Sequence, residues 1–152
     1  MRKFEIVRKD AIKYEVDKPQ MPIRSTLKSA GYDFFAPLEF TIEANNTYLV
    51  WTNIKAKMMD DEFLMLCSTS GMGKRGIKMT NSIGIVDADY YSNESNDGNI
   101  GFSLHNTFNQ SYTFKKGEKI GQGIFMKFLA CTEDNVKNIE RIGGYGSTDK
   151  LN

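Results

Sequence analysis

Residues 81–91 read Asn-Ser-Ile-Gly-Ile-Val-Asp-Ala-Asp-Tyr-Tyr and join an apolar half to a polar one. The apolar half is β-branched and contains Gly84, which is typical of a buried strand or a tight hairpin arm. The polar half places two carboxylates beside two tyrosine rings. This combination suits a site that holds a polar, partly flat ligand with a base next to it. The alternative is a strand that simply ends in a polar turn.

The composition predicts one globular domain. The chain has 152 residues, of which 40% are hydrophobic and 26% charged, an ordinary composition for a soluble protein. The formal net charge is only +1. Because proteins that bind nucleic acid usually carry a clear basic excess, we expect no direct nucleic-acid binding. The composition still allows binding of a small anionic ligand, since such a ligand needs only a few local donors.

The cysteines and the histidine do not form a metal site in the sequence. Cys67 and Cys131 lie far apart and, with His105, cannot build an ordinary zinc site. We interpret both cysteines as small buried residues and His105 as a residue at the end of a strand. No apolar run reaches the length of a membrane span or of a signal-peptide core, so we expect no membrane association and a cytoplasmic location.

Short strands dominate the rest of the chain. β-prone segments are predicted at residues 4–8, 40–42, 47–51, 63–67, 100–104, 112–114 and 120–129. The run at 63–67 is continuously apolar, so we expect it to be buried on both faces. No segment shows sustained helical periodicity, and 132–140 is interpreted as a connector. The pattern predicts an all-β sandwich, barrel or jelly roll.

Two further segments carry groups that bind anions. Ser68-Thr69-Ser70-Gly71 follows the apolar run and offers hydroxyl and backbone donors, although the glycines after it lack the Walker A spacing. Near the end of the chain, Arg141 precedes a glycine-rich stretch with Tyr145, Gly146, Ser147 and Thr148, which combines a cation, close backbone approach, hydroxyls and a ring for stacking. A polar turn and a disordered tail are the respective alternatives. We expect a β-barrel domain over 1–140 and a flexible arm over 141–152.

Five segments in order resemble the motifs of the trimeric dUTPases. They are Ala-Gly-Tyr-Asp-Phe-Phe-Ala at 30–36, Ser-Thr-Ser-Gly-Met-Gly at 68–73, residues 81–90, Lys-Gly-Glu-Lys-Ile-Gly-Gln at 116–122 and Arg-Ile-Gly-Gly-Tyr-Gly-Ser-Thr at 141–148. Each segment alone is weak. Five in the right order, across nearly the whole chain, are specific.

The resemblance implies a jelly-roll subunit, a closed homotrimer and a site for dUTP. In this family pattern, Asp87 activates the water that attacks the α-phosphate, and the products are dUMP and pyrophosphate. Tyr90 packs on the deoxyribose, and Asn81 with the neighbouring backbone reads the uracil. The implied substrate-binding set is Ser68, Thr69, Ser70, Gly71, Asn81, Gly84, Ile85, Val86, Tyr90, Gln122, Arg141, Tyr145, Gly146, Ser147 and Thr148.

The resemblance also implies Mg²⁺, held mainly by the triphosphate and supported by Asp33 through water. Some positions depart from the family pattern. The family usually has arginine at the positions of Ser68 and Lys119, so one cationic contact to the phosphates is expected to be missing. Asp149 stands where glycine is usual. Residues 92–99 form an insertion, interpreted either as a surface for a protein partner or as a solvated hairpin tip.

Two other functions remain as alternatives. One is a regulatory binding protein that uses this fold and switches with the nucleotide. The other is an enzyme similar to dCTP deaminase. The Asp87-Ala88-Asp89-Tyr90 sequence and Tyr145 favour the diphosphatase.

Overall fold

Short antiparallel strands make up most of the regular structure. The computed structural model describes residues 1–134. The strands are β1 (Lys3–Ile6), β2 (Tyr32–Phe35), β3 (Phe40–Ile42), β4 (Thr47–Trp51), β5 (Ile54–Lys57), β6 (Glu62–Cys67), β7 (Ile77–Met79), β8 (Gly84–Asp87), β9 (Gly101–Asn106), β10 (Tyr112–Phe114) and β11 (Lys119–Lys127). One short helix, α1 (Ser70–Lys74), and 3₁₀ turns at Lys9–Ala11 and Ala88–Tyr90 interrupt them.

The strands form four small sheets, and every pairing between them is antiparallel. The largest sheet has the order β2-β11-β6-β8, and a second has the order β4-β9-β7. Two-stranded ribbons, β1-β5 and β10-β3, complete the set. Strands that are neighbours in space are mostly distant in sequence, as in sandwiches and jelly rolls. The all-β prediction is confirmed.

The core lies between the sheets and is rich in aromatic side chains. Phe102 and Leu104, two residues apart on β9, are both 0% exposed, as the alternating pattern predicts. Phe102 packs against Phe34 with ring centroids 5.2 Å apart. Phe114 stacks on Phe40 at 4.9 Å. Each fully buried side chain of this size contributes about 1.5–3 kcal/mol, so these contacts fix how the sheets pack.

Strand β6 is buried on one face only, so the expectation for residues 63–67 is wrong. Leu64 and Leu66 are 0% and 3% exposed, but the alternate residues remain partly exposed. Those residues are paired with further apolar side chains on β8 and β11. The resulting outer apolar face consists of Phe63, Met65, Ile85, Ile124 and Met126. It is an apolar patch of the kind that marks an interaction surface.

The structure also corrects the interpretation of the cysteines and of the helices. Cys131 is exposed, and Cys67 is half-buried, with burial raising the pKa of its thiol. His105 lies near the end of β9, as expected. Helix α1 was not predicted, because five residues are too few to show a helical period. No helix within 1–134 is long and apolar enough to cross a membrane.

The insertion at 92–99 is a packed loop, so the alternative of a solvated hairpin tip is wrong. Asn93, Asn96, Asp97 and Asn99 are all buried. Asp97 forms an ion pair with Lys55 at 2.8 Å and accepts a hydrogen bond from the backbone N–H of Arg8 at 2.6 Å. Burial opposes the charged form, but these partners outweigh it and hold the pKa of Asp97 below its usual value. The carboxylate therefore joins the loop to β5 and to the N-terminal segment.

We predict that Asp97→Asn lowers the melting temperature near neutral pH and that this difference shrinks in acid. The folded-state pKa of Asp97 lies below that of an unfolded aspartate, about 3.9. The stability it contributes is therefore present above about pH 3.9 and lost as the pH falls through the folded-state pKa. Thermal melts from about pH 7 to about pH 3 measure this. Asp10→Asn is the control, because Asp10 is exposed and pairs only at the surface with Arg8. A difference that is constant across the pH range would contradict the assignment.

Candidate functional site

One cavity brings together three of the five segments singled out in the sequence. It has a volume of about 370 Å³. Its lining residues come from β2, from the α1 region and from the start of β11: Asp33, Thr69, Ser70, Gly71, Met72, Arg75, Glu118, Lys119 and Gln122. We call it the Gln122 cavity. The first, second and fourth segments, far apart in sequence, thus share one polar surface.

The hydroxyl groups of the second segment have different local roles. Thr69 is the N-cap of α1, and its Oγ1 accepts a hydrogen bond from the backbone N–H of Met72 at 3.3 Å. The buried Met72 side chain anchors the same helix in the core. Ser68 does not line the cavity; its Oγ accepts from the backbone N–H of Met79 at 3.2 Å. Ser70 is exposed and lines the cavity, so its hydroxyl is the one best placed for a ligand.

Gln122 is held by packing against a glycine and by one hydrogen bond. Its Nε2 donates to the carbonyl of Ser68 at 3.3 Å. A Cβ atom at Gly31 would lie 3.1 Å from Gln122 Cδ and 3.3 Å from Gln122 Cβ, so it would displace the terminal amide from its present position. The register also places Gln122 opposite Asp33 on β2 and opposite Cys67 on β6. The first and fourth segments therefore fit each other directly.

The charged residues of the Gln122 cavity form two ion pairs. Lys119 Nζ lies 2.7 Å from Asp33 Oδ2, and Ser25 Oγ donates to the same oxygen at 2.6 Å. In the second pair, Arg75 Nη1 lies 2.6 Å from Glu118 Oε1. Within residues 1–134, no group of three or more His, Cys, Asp or Glu side chains could hold a metal ion. The residues fit a metal held mainly by its ligand, with a carboxylate acting through water, rather than an all-protein site.

Asp87 lies apart from this cavity. It is exposed at the end of β8 and lines a second cavity of about 430 Å³ with Asp60, Glu62, Ala88, Asp89 and Phe128. On β6, Asp87 is opposite Phe63, whereas Gln122 is opposite Cys67. Asp87 and Gln122 are therefore separated by four residues along the strand direction and by two strand spacings across the sheet. Together these give a distance on the order of 16 Å. A single chain therefore does not bring Asp87 to the Gln122 cavity.

The other residues of the third segment differ in exposure. Asn81 is exposed in the turn before β8, where the N–H of Ile83 donates to its carbonyl at 2.6 Å. Ile85 points to the outer apolar face and is 52% exposed. Gly84 and Val86 are buried, so only their backbone could read a ligand.

Tyr90 is held in place by the 92–99 loop. It is 8% exposed, and its hydroxyl donates to the Asn99 carbonyl at 2.8 Å and accepts from Asn96 Nδ2 at 2.8 Å. Asn93 Nδ2 donates to the Tyr90 carbonyl at 2.8 Å. Sequence reasoning missed this role. The signal was the run Asn96-Asp97-Gly98-Asn99, whose residues favour tight turns with positive φ, as found at Asp97 and Gly98.

Sequence reasoning also missed Arg75, which lines the Gln122 cavity, because it lies outside the five segments. The fifth segment lies outside the described residues. This applies to the predicted site residues Arg141, Tyr145, Gly146, Ser147 and Thr148, and to the predicted boundary at 140.

We predict that Asn96→Ala lowers the free energy of unfolding by about 1–3 kcal/mol. The change removes the donor to Tyr90 and the Oδ1 atom that accepts from Asn93 Nδ2 and from the Gly98 N–H, so buried polar groups lose partners. Urea denaturation measures the loss. Glu94→Gln, at an exposed position of the same loop, is the control. In a double-mutant cycle with Tyr90→Phe, strictly additive effects would show that Asn96 does not hold the tyrosine.

Comparisons with known proteins agree with the five-segment pattern. The dUTPase family model matches residues 17–148. The deoxyuridine 5'-triphosphate nucleotidohydrolase of Lactococcus lactis is 37% identical over 150 residues, which cover 97% of this chain and 97% of the relative. That of Janthinobacterium is 32% identical over 139 residues, covering 86% of this chain and 89% of the relative.

Solved structures show the same fold. The crystal structure of dUTPase from Streptococcus mutans aligns with a TM-score of 0.74 at 36% identity, covering 84% of this chain and 97% of that one. The dUTPase of Staphylococcus bacteriophage 80alpha aligns with a TM-score of 0.70 at 19% identity, covering 97% and 98% of the two chains. These neighbours confirm the expected jelly-roll subunit. This chain belongs to the dUTPase family.

Proposed function

We propose that this protein is a dUTP diphosphatase, which hydrolyses dUTP to dUMP and pyrophosphate. The observation that carries the proposal is the Gln122 cavity, where three dUTPase segments meet in a chain whose family match runs over 17–148. The relative from Lactococcus lactis, named for this activity, covers 97% of the chain.

The cavity is suited to hold the phosphates. Ser70 and Gln122 offer a hydroxyl and an amide, and Lys119 adds a cation at the rim. Gly71 lets the ligand approach the backbone closely. Phosphoryl transfer depends on positioning and charge stabilisation more than on a strong nucleophile, so such a cradle supplies much of what the reaction requires.

Asp87 is the residue proposed to activate water. It is an exposed carboxylate at the end of a paired strand, so its backbone position is fixed while the side chain can reach a ligand. Tyr90, held by the 92–99 loop, would give the deoxyribose a rigid wall that leaves no room for a 2′-hydroxyl. Asn81 and the backbone of Gly84, Ile85 and Val86 would read the uracil edge.

Magnesium fits the donor set only as an ion that arrives with the nucleotide. Asp33 lines the cavity, and its carboxylate is oriented by Ser25 and Lys119. It would contact a water of the ion rather than the ion itself. When bound, Mg²⁺ would offset the negative charge of the triphosphate. A solved dUTPase from phage phi11 is described with a structural Mg(II) ion, in a chain 17% identical to this one.

A homotrimer would complete the site. Because Asp87 and Gln122 of one chain lie on the order of 16 Å apart, the water-activating carboxylate at a Gln122 cavity must come from another copy. The outer apolar face lies between them and would be covered by that copy. The arm over 141–152 is proposed to close on the nucleotide from a neighbouring subunit, with Arg141, Ser147 and Thr148 on the γ-phosphate and Tyr145 over the uracil, and Gly146 giving the backbone room.

The location and the two alternative functions remain predictions. Cys67 and Cys131 are both free, which agrees with a reducing, cytoplasmic location. Within the 92–99 loop, only Ser92, Glu94 and Ser95 are exposed and could contact a protein partner. Staphylococcal phage dUTPases are described as controlling transfer of virulence genes, but at 20% identity they support only the fold here. No contact within residues 1–134 favours a regulatory function or deamination of dCTP.

We predict that the protein releases pyrophosphate from dUTP and that Asp87→Asn abolishes this while dUTP still binds. Loss of a general base typically costs 10²–10⁴-fold in rate, about 3–5.5 kcal/mol. The assay compares dUTP with UTP, dCTP and the other deoxynucleotides, and follows ammonia release from dCTP in parallel. Asp89→Asn, two residues along the same segment, is the control. Ammonia release from dCTP would favour the deaminase, and binding of dUTP by the wild type without turnover would favour the regulatory alternative.

We predict that Met126→Lys breaks the trimer. Met126 is 42% exposed on the outer apolar face, and a buried, unpaired ammonium would oppose association. Leu49→Lys, at a residue 37% exposed on β4 in the other sheet, is the matched control. Sedimentation equilibrium should give a trimer for the wild type and the control, and 17.3 kDa for Met126→Lys. A wild type that sediments as a monomer would exclude the shared site.

A further inference from the structure

We propose that Arg75 binds the triphosphate of the substrate and supplies the planar cation that Ser68 cannot. The inference rests on the proposed function and goes beyond it, since Arg75 belongs to none of the residues matched to the family's motifs. It concerns the part of the Gln122 cavity wall that Arg75 forms with Glu118.

Arg75 is placed where a phosphate chain would pass. It caps the C-terminal end of α1 and lines the same cavity as Ser70, Gly71 and Gln122. Its side chain is 49% exposed, so the guanidinium lies at the boundary between the cavity and solvent. The guanidinium is therefore exposed enough to contact a ligand. It is also held in place, because one of its nitrogens is hydrogen-bonded within the protein.

The tie uses a single nitrogen of the guanidinium. Arg75 Nη1 donates to Glu118 Oε1 at 2.6 Å and to the Tyr112 hydroxyl at 2.9 Å. Tyr112 also donates to Glu118 Oε1, and Glu118 Oε2 accepts from the backbone N–H of Lys115 at 3.1 Å. The carboxylate is therefore fixed through both oxygens, and it fixes the arginine in turn.

The fixed guanidinium keeps a whole edge for a ligand. All the hydrogen bonds that Arg75 makes within residues 1–134 leave from Nη1. The Nη2 and Nε groups are coplanar with it and point along a second edge, in the fork geometry that matches two oxygens of a phosphate. Lysine offers only a point charge. Arg75 thus restores the bidentate contact that Ser68 and Lys119 both lack.

The charge balance of the cavity supports the same conclusion. Arg75 and Lys119 both line it, and each is paired with one carboxylate, Glu118 and Asp33 respectively. Each cation is therefore held in place by its carboxylate, so a polyanion would meet two prealigned donors without a need for the protein to rearrange. Lys74, next in sequence, is exposed and does not line the cavity.

The test compares Arg75→Gln, Arg75→Lys and the control Lys74→Gln in the full-length protein. Titration calorimetry measures binding of dUpNHpp, a triphosphate analogue, and of dUMP, with Mg²⁺ present. We expect Arg75→Gln to weaken dUpNHpp binding by about 10–100-fold, since hydrogen bonds to charged groups contribute about 1.5–3 kcal/mol and each tenfold is about 1.4 kcal/mol. Binding of dUMP should change less than threefold, and Lys74→Gln should change neither ligand.

The Arg75→Lys variant distinguishes the contribution of the bidentate hydrogen bonds from that of the positive charge. It keeps the positive charge, and we expect it to recover only part of the affinity for dUpNHpp. Equal affinity of Arg75→Gln and Lys74→Gln for dUpNHpp, or an equal loss for dUMP and dUpNHpp, would overturn the proposal. If Arg75→Gln does not fold, wild-type affinity in Arg75→Lys would overturn the bidentate contact. A wild type that binds dUpNHpp but does not hydrolyse dUTP would instead overturn the proposed function and leave Arg75 as a phosphate ligand.

Discussion

The antiparallel register across β8, β6, β11 and β2 determines the arrangement of the site. Backbone hydrogen bonds along this sheet set Gln122 opposite Asp33 and Cys67, and set Asp87 opposite Phe63. A shift of one residue would turn every side chain to the other face. It would remove the Gln122 cavity and bury Asp87 in the core. The polar groups at the two ends of the sheet and the apolar residues between them are therefore consequences of one pairing pattern.

The short segments between the strands position the remaining groups of the site. Helix α1 exists because Thr69 caps it and Met72 anchors it, and this single turn carries Arg75 to the cavity wall. The 92–99 loop folds around its own asparagine side chains and fixes the Tyr90 ring. In both cases a polar side chain bonds to the nearby backbone or to a nearby ring. Local hydrogen bonds of this kind position the functional residues more tightly than loop length would suggest.

Much of the fold could be predicted because its signals are local. The alternation of Phe102 and Leu104 predicted the buried face of β9, and the five segments predicted which residues share the cavity. The partial exposure of Met65 and Ile85 could not be predicted, since an apolar run reads the same whether the second face meets the chain's own core or remains open. Nor could the pairing of Arg75 with Glu118, which are 43 positions apart and meet only through the fold. The prediction that Cys131 is buried was wrong for a related reason, because residue type alone does not determine burial.

The outer apolar face has a consequence for how the protein behaves as a population of molecules. A newly made chain presents Ile85, at 52% exposure, and its apolar neighbours to water. Any assembly that covers this face draws the folding equilibrium forward by mass action, so folded chains protect one another from unfolding. Apparent stability then becomes a property of the concentration as well as of the sequence. Dilution acts on such a protein in the same direction as heat, and abundance in the cell becomes part of what keeps the fold intact.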